Sequence, residues 1–210
     1  MIRAFLQRAR RIFSLRQGKL GKRLTERNAM AYFWYFLFYS FFGYLLEKLF
    51  ARVTQSERQV RKCFLLLPLC PVYGLAMTAL LLTGAERIDN IWALMVIGAA
   101  VTTAVEYAVH WGYETLFGVY FWDYTPTKMD VNGRICIPFS VAWGLLSAAA
   151  VRLVQPELTA LAANLSDEWA GAALFLLTFD SIITARVLLV YHDTELLSFP
   201  ALRRRKTAEP

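Results

Sequence analysis

Long apolar runs separated by charged stretches set the pattern of this chain. Met30 to Phe50, Cys63 to Leu82, Ile91 to Val109, Ile135 to Val154 and Trp169 to about Val190 are the five runs. Each holds about 20 residues, the length that crosses roughly 30 Å of hydrocarbon at 1.5 Å per residue. Backbone groups in lipid must be satisfied within their own segment, and the two-residue alternation of barrel strands is absent, so the runs are predicted as helices. The expected fold class is all-α: a polytopic membrane helix bundle of about five transmembrane helices. Residues 1–28 form a basic leading segment, 29–190 the bundle and 191–210 a basic tail, with no internal repeat and no soluble domain.

The second run carries its own interruption, Pro68-Leu69-Cys70-Pro71-Val72-Tyr73-Gly74. Pro71 removes the hydrogen bond to the Leu67 carbonyl and Pro68 the bond to that of Phe64, while Gly74 loosens the next turn. The helix is therefore expected to kink or unwind there. A packing kink is one reading; an opening whose freed carbonyls line a substrate or ion path is the other.

Composition agrees with the pattern: 57% hydrophobic and 19% charged residues, with a mean hydropathy of +0.39, describe an integral membrane protein rather than a soluble domain. The net charge of +7 comes from clusters outside the runs, at residues 3 to 27, 52 to 62 and 203 to 206, suited to anionic lipid head groups. No basic stretch falls in a DNA- or RNA-binding module, so nucleic acid is not an expected partner. Residues 1 to 20 alternate Ile2, Phe5, Ile12, Phe13 and Leu15 with arginines, as in an interfacial amphipathic helix or a solvated basic tail. The first 28 residues lack the apolar core of a cleavable signal peptide. Cys63, Cys70 and Cys136 lie in or beside apolar runs without metal-ligand spacing, so they read as packing residues, and neither a metal nor a cofactor is expected.

If five helices alternate in direction, one membrane face gathers the end of the first, the start of the second, the end of the third, the start of the fourth and the end of the fifth. The positive-inside rule gives a tie between the two faces, because basic residues are balanced between them. Whichever compartment it meets, the shared face collects Glu47, Arg61, Lys62, Glu106, His110 and Arg134, together with an aromatic loop, re-entrant or simply connecting, from Trp111 to Arg134 that includes Glu114, Trp122, Asp123, Tyr124 and Asn132. Ser40, Gly43 and Glu47 share one face of the first helix, and Thr102, Glu106 and His110 one face of the third. Ser140, Gly144 and Ala148 form a small-residue stripe on the fourth, a pattern that lets membrane helices approach closely.

Acidic groups within apolar runs are costly, about 2.5 to 3.5 kcal/mol on insertion scales, which makes Glu47, Glu106 and Asp180 functional candidates; Glu168 stands only at an edge. The candidate binding set is Glu47, Glu106, Asp123, Tyr124, Asn132, Arg134, Pro71 and Asp180, and no catalytic residue is assigned. Structural roles compete for each: Glu47 as a membrane-edge anchor paired with Arg61, Arg134 or its neighbour Lys48, Glu106 paired with an Arg or His, Asp180 paired with an intramembrane Arg such as Arg186, and the aromatics as an interfacial belt.

Five motifs in order give the chain a likeness: Ser40-Phe41-Phe42-Gly43-Tyr44-Leu45-Leu46-Glu47; Pro68-Leu69-Cys70-Pro71-Val72-Tyr73-Gly74; Glu106-Tyr107; Trp122-Asp123-Tyr124-Thr125; and Asn132-Gly133-Arg134-Ile135-Cys136. Between about Tyr32 and Val154 the chain resembles the bacterial family named putative ABC-transporter type IV, or CmpB-like permease. Tyr44 stands where that family usually has Trp, and Arg61-Lys62-Cys63 where an Arg-Gly pair is usual. The resemblance implies a permease-like transport subunit of the plasma membrane. The chain has no Gly-rich Lys-Ser/Thr phosphate loop, so an ATPase would be a separate subunit, and five short helices suggest a homo-oligomer or hetero-oligomer. An enzyme acting on a lipid or polyprenyl head group, with Arg134 holding a phosphate, and a non-catalytic assembly or regulatory protein stay open beside transport.

Overall fold

The computed structural model describes residues 29–54 and 63–197. The expected amphipathic segment at residues 1–20, the Arg61-Lys62 pair and the basic cluster at 203–206 lie outside them.

Five helices account for most of the described chain: α1 (Ala29–Val53), α2 (Pro71–Leu82), α3 (Ile91–Phe117), α4 (Ile137–Ala163) and α5 (Asp167–Tyr191). All but α2 are long and apolar enough to cross a membrane. The chain is an all-α membrane helix bundle, and its outward faces fit that setting: Leu174, Phe175, Phe179 and Ile182 of α5 are more than half exposed, as lipid-facing side chains are.

The second apolar run is half helix. Residues 64–70 form no regular structure, and α2 starts at Pro71, whose missing N–H costs nothing at a first helical position. The Cys70 N–H donates to the Ser40 carbonyl of α1 at 2.8 Å, and Ser40 stands 13 positions before the end of α1, or ~20 Å along its axis. The non-helical segment therefore runs to about mid-depth and α2, ~18 Å long, completes the crossing.

Two helices run further than their apolar runs predict. α3 continues past Val109 to Phe117, carrying Trp111 and Glu114 on helix rather than loop, and stops at Gly118, which takes the left-handed conformation (φ 66°) of a helix C-cap. α4 continues to Ala163, where a loop beginning at Gln155 was expected. The polar residues that suggested a loop are satisfied inside the bundle: Tyr39 donates to Gln155 Oε1 at 3.0 Å and Tyr35 to Thr159 Oγ1 at 3.2 Å. α4 accommodates Pro156 by widening to a π-helical turn over Ala150–Val154. A proline inside a helix lacks the N–H of its turn and crowds the carbonyl four residues back, here Arg152, and the wider turn relieves both.

The bundle is closed at one end. Trp34, Tyr35 and Tyr39 of α1, Leu80 and Leu81 of α2, Leu94 of α3, and Val151 and Leu158 of α4 form one buried cluster. Toward the other end the α3 to α4 contact is set by small residues. A Cβ on Gly144 would come within 2.6 Å of the Met95 carbonyl, and one on Gly98 within 2.8 Å of Ser147 Cβ. The α1 to α2 contact is tighter still. Gly43 lies under the Tyr73 ring, and Gly74 lies over Ser40 and the Phe36 carbonyl.

The loop from Gly118 to Ile135 closes over the open end. It contains a two-stranded antiparallel ladder, β1 (Asp130–Val131) with β2 (Ile135–Cys136). The turn between them has Asn132 and Gly133 both at positive φ (55° and 67°), the geometry Asn-Gly favours.

Gly74→Ala should lower the thermal unfolding midpoint in detergent, because the added methyl meets backbone and costs about 1–3 kcal/mol of overpacking. Gly112→Ala, with nothing within 4 Å of the added carbon, should leave it unchanged or raise it, since Ala gains roughly 0.5–1 kcal/mol over Gly in a helix. Equal midpoints for the two variants would show that α1 and α2 do not pack at this distance.

Candidate functional site

Non-helical backbone at membrane depth needs a partner for each N–H. Over residues 66–71 the partners can be counted. Leu66 and Leu67 donate to the two carboxylate oxygens of Asp180 on α5, at 3.2 and 2.9 Å. Leu69 N–H closes a tight turn around Pro68 onto the Leu67 carbonyl at 2.7 Å, and Cys70 donates to Ser40. Pro68 and Pro71 have no N–H to satisfy. Asp180 is only 6% exposed and Thr184 lies against it at 3.4 Å. Its role here is to cap the broken crossing, and it stands outside the wall of the cavity described next.

Between α1, α2, α3, α4 and the closing loop lies a cavity of about 360 Å³. Glu47 of α1 and Glu106 of α3 both line it, as do Tyr73, Tyr124 and Trp143. Tyr73 donates to Glu47 Oε1 at 2.7 Å. Glu106, 6% exposed, receives the Tyr124 hydroxyl on Oε1 and the Trp143 indole N–H on Oε2, each at 2.9 Å. Tyr73 and Trp143 meet edge to face, 5.3 Å between centroids, so the two carboxylates are joined through one continuous aromatic contact. Glu106 lies 11 positions before Phe117, or ~16 Å below the end of α3. The loop reaches it by directing buried Tyr124 into the bundle.

The non-helical segment borders the same cavity through Cys63, Phe64 and Cys70, and the π-helical turn of α4 borders it through Ala150 and Val154. Two departures from α-helical geometry thus frame one space, which is where such departures concentrate in functional proteins.

The remaining candidates form the rim. Arg134 makes an ion pair with Glu114, Nη2 to Oε2 at 2.8 Å, donates from Nη1 to the Tyr107 hydroxyl at 2.7 Å, and lies over the Tyr107 ring at 5.1 Å. The hydrogen bond to Glu114 raises its pKa above the ordinary guanidinium value. Asn132 also donates to Tyr107. Asp123 accepts the backbone N–H and the hydroxyl of Thr125, both at 2.9 Å, which holds its carboxyl below the ordinary range. It fixes the loop locally, and Gly133 packs against it because a Cβ there would come within 2.9 Å of its carboxylate. His110 Nε2–H donates to the Trp122 carbonyl at 3.0 Å, and Trp122 donates to the Arg134 carbonyl at 3.0 Å. His192 at the end of α5 donates to the Phe117 carbonyl, so the ends of α3 and α5 meet at this rim.

Of the eight candidates, Glu47, Glu106, Tyr124 and Pro71 line the cavity, while Asp123, Asn132 and Arg134 build the loop above it and Asp180 supports it from α5. Sequence reasoning missed Tyr73 and Trp143, the donors to the carboxylates. Their signal was position, since Tyr73 precedes Gly74 and meets Gly43, and Trp143 precedes Gly144.

The family model described as putative ABC-transporter type IV matches residues 34–185. The chain belongs to this family. The match extends past Val154, where the resemblance was expected to stop, and takes in most of α5; it therefore covers both cavity carboxylates, the broken crossing and Asp180. No curated protein and no solved structure matches this member of the putative ABC-transporter type IV family.

Replacing Asp180 with Ala should lower the unfolding midpoint, because a buried donor left without a partner costs about 1–3 kcal/mol. Asp180→Asn, which keeps one acceptor oxygen, should lose less. Midpoints of the Ala variant equal to wild type would mean that the amides of Leu66 and Leu67 are held by something else.

Proposed function

We propose that the chain is the membrane-embedded subunit of a transporter in the plasma membrane, with the cavity between Glu47 and Glu106 as its cargo site. The observation that supports this most is the placement of the two carboxylates, from different helices, on one cavity beside a crossing that is only half helical. Broken crossings of this kind serve transporters because they bring irregular backbone and side chains to the middle of the bilayer. Family membership agrees with such a role. Membrane acids held by neutral donors, as Glu106 is by Tyr124 and Trp143, are retained where a pathway needs them.

On this reading the energy source is a separate ATPase subunit, since the chain lacks a phosphate-binding loop. The bilayer is the other obligatory partner, and a second copy of the chain is a further candidate. Arg134 with Glu114 acts as a latch that seats the aromatic loop, and Asp180 keeps the broken crossing open.

In cells lacking the native chain, complementation with Glu106→Gln should restore uptake or export of labelled solutes at a rate at least about tenfold below wild type. Membrane content of the protein should be equal, as an interaction of about 1.4 kcal/mol already amounts to a factor of ten. Arg134→Lys, which cannot form the same planar fork with Glu114, should reduce the rate less. Full transport by the Glu106 variant would remove the cavity from the pathway.

A further inference from the structure

A second space lies beside the cavity. It measures about 320 Å³, is lined from α1, α2, α3, α5 and the non-helical segment, and shares Phe64, Pro71 and Tyr113 with the first. Phe64 and Tyr113 stack at 5.2 Å between centroids and 12° between planes, so an aromatic pair forms the common wall. The other side chains of its described lining are apolar except Ser181, whose hydroxyl donates to the Leu177 carbonyl of its own helix at 2.7 Å. The outer lip is open, with Leu75 44% and Leu116 67% exposed. From Pro71, at about mid-depth, the space runs to Leu116 and Phe117 at the end of α3, and its stretch of α3 from Val109 onward is ~12 Å long. It is a lipid-facing groove within one leaflet.

Gly112 keeps this groove open. It lies within α3, where glycine is less stable than Ala, and nothing stands within 4 Å of the Cβ it lacks. Gly98 and Gly144 make room for a neighbouring helix, whereas the room at Gly112 is left for something outside the chain. In a bilayer that is hydrocarbon. A tail alone gains nothing over bulk lipid, which is as apolar as the groove, so selection has to come from the polar end of the same molecule. The adjoining cavity offers that end two uncommitted groups: among the described residues the hydroxyls of Tyr113 and of buried Ser147 have no hydrogen-bond partner, and each can donate and accept. Such hydroxyls suit an uncharged head group, because a charged one would have to shed far more hydration.

We infer that groove and cavity together bind one amphiphile, a single-chain lipid with a small uncharged, hydroxyl-bearing head such as a monoacylglycerol. The tail lies along Gly112 between α3 and α5, and the head passes Phe64 to reach the hydroxyls of Tyr113 and Ser147. Phe64 stands on backbone without helical structure, so its side chain yields without breaking a helix. The inference names the substrate class of the cargo site proposed above, entering sideways from the bilayer, and rests on that reading for its physiological role, while binding itself is measured without transport.

The test uses full-length protein in lipid nanodiscs and a monoacylglycerol with a photoreactive diazirine in its chain, the labelled peptides being read by mass spectrometry. Label should appear on residues 109–117 of α3 and near Leu177 of α5, and excess unlabelled monoacylglycerol should remove it. Label on Phe175 and Phe179, which face outward and meet ordinary bilayer lipid, should persist. Gly112→Leu, which fills the groove, should abolish the competed label. Ser147→Ala and Tyr113→Phe, each lacking one hydroxyl, should raise the concentration needed for competition by up to about tenfold, the size of one hydrogen bond; they keep the test valid should Gly112→Leu fail to fold. Groove label that is not competed, or that survives in Gly112→Leu, marks bulk lipid and overturns the inference. Competition unchanged in both hydroxyl variants overturns it too, since the head then lies elsewhere. Competed label in a protein that moves no solute would uphold the site and end the transport reading; Glu106-dependent transport of a solute without competed label would do the reverse.

Discussion

Six consecutive positions in the middle of a membrane protein, residues 66–71, have no helix to satisfy their backbone, and much of the bundle is arranged around that fact. Two of the six are prolines and bring no N–H. Two more are held by the carboxylate of Asp180, one by a local turn and one by the Ser40 carbonyl. An unsatisfied amide in hydrocarbon costs several kcal/mol, so an open segment at this depth is tolerable only with such a set of partners. The acid that most resembled an intramembrane functional group therefore serves as a backbone cap, and Gly43 and Gly74 follow from the same constraint. Both let α1 and α2 approach closely enough for the Ser40 carbonyl to reach Cys70.

The consequence is a bundle with unlike ends. Where α2 is helical, all five helices contribute to a continuous apolar cluster around Leu80, Leu81 and Leu94. Where the second crossing is non-helical, a cavity lies between it and α1, α3 and α4. The loop after α3 covers it, secured by Tyr124 on Glu106 within and by Arg134 on Glu114 at the rim. Buried and surface charge are thereby separated by role. The rim pair is exposed enough that its contribution to stability is small, whereas the cavity carboxylates accept hydrogen bonds from Tyr73 of α2, Tyr124 of the loop and Trp143 of α4.

Much of this was legible in the residues. Apolar runs of about 20 residues gave the helices, Pro68 and Pro71 gave the break, and alternation of direction brought Glu47 and Glu106 to one end. Other features were not legible because they depend on tertiary partners. Gln155 and Thr159 looked like loop residues until Tyr39 and Tyr35 satisfied them, and Asp180 looked like a pathway acid until the amides of Leu66 and Leu67 met it. The length of α3 was hidden for a related reason: Trp111, Tyr113 and Glu114 are too polar for an apolar run yet suit the end of a helix that passes into the interface. Pro156 was the visible trace of the π-helical turn, but a proline signals disruption without specifying its form.

That turn lies where the cavity wall meets the closed-end packing. Ala150 and Val154 lie in the cavity wall, and the next residue, Gln155, is buried and bound to Tyr39, itself part of both the closed-end cluster and the cavity wall. A π-helical turn holds one extra residue relative to α-helical spacing, and removing that residue's offset would rotate the following segment by about 100°. Such a rotation would carry Gln155 away from Tyr39 and change the wall between Trp143 and Val154. The widened turn and the broken crossing are the two departures from α-helical backbone that border the same cavity. The cavity wall and the closed-end cluster are thus joined through α4 by the Tyr39 to Gln155 hydrogen bond.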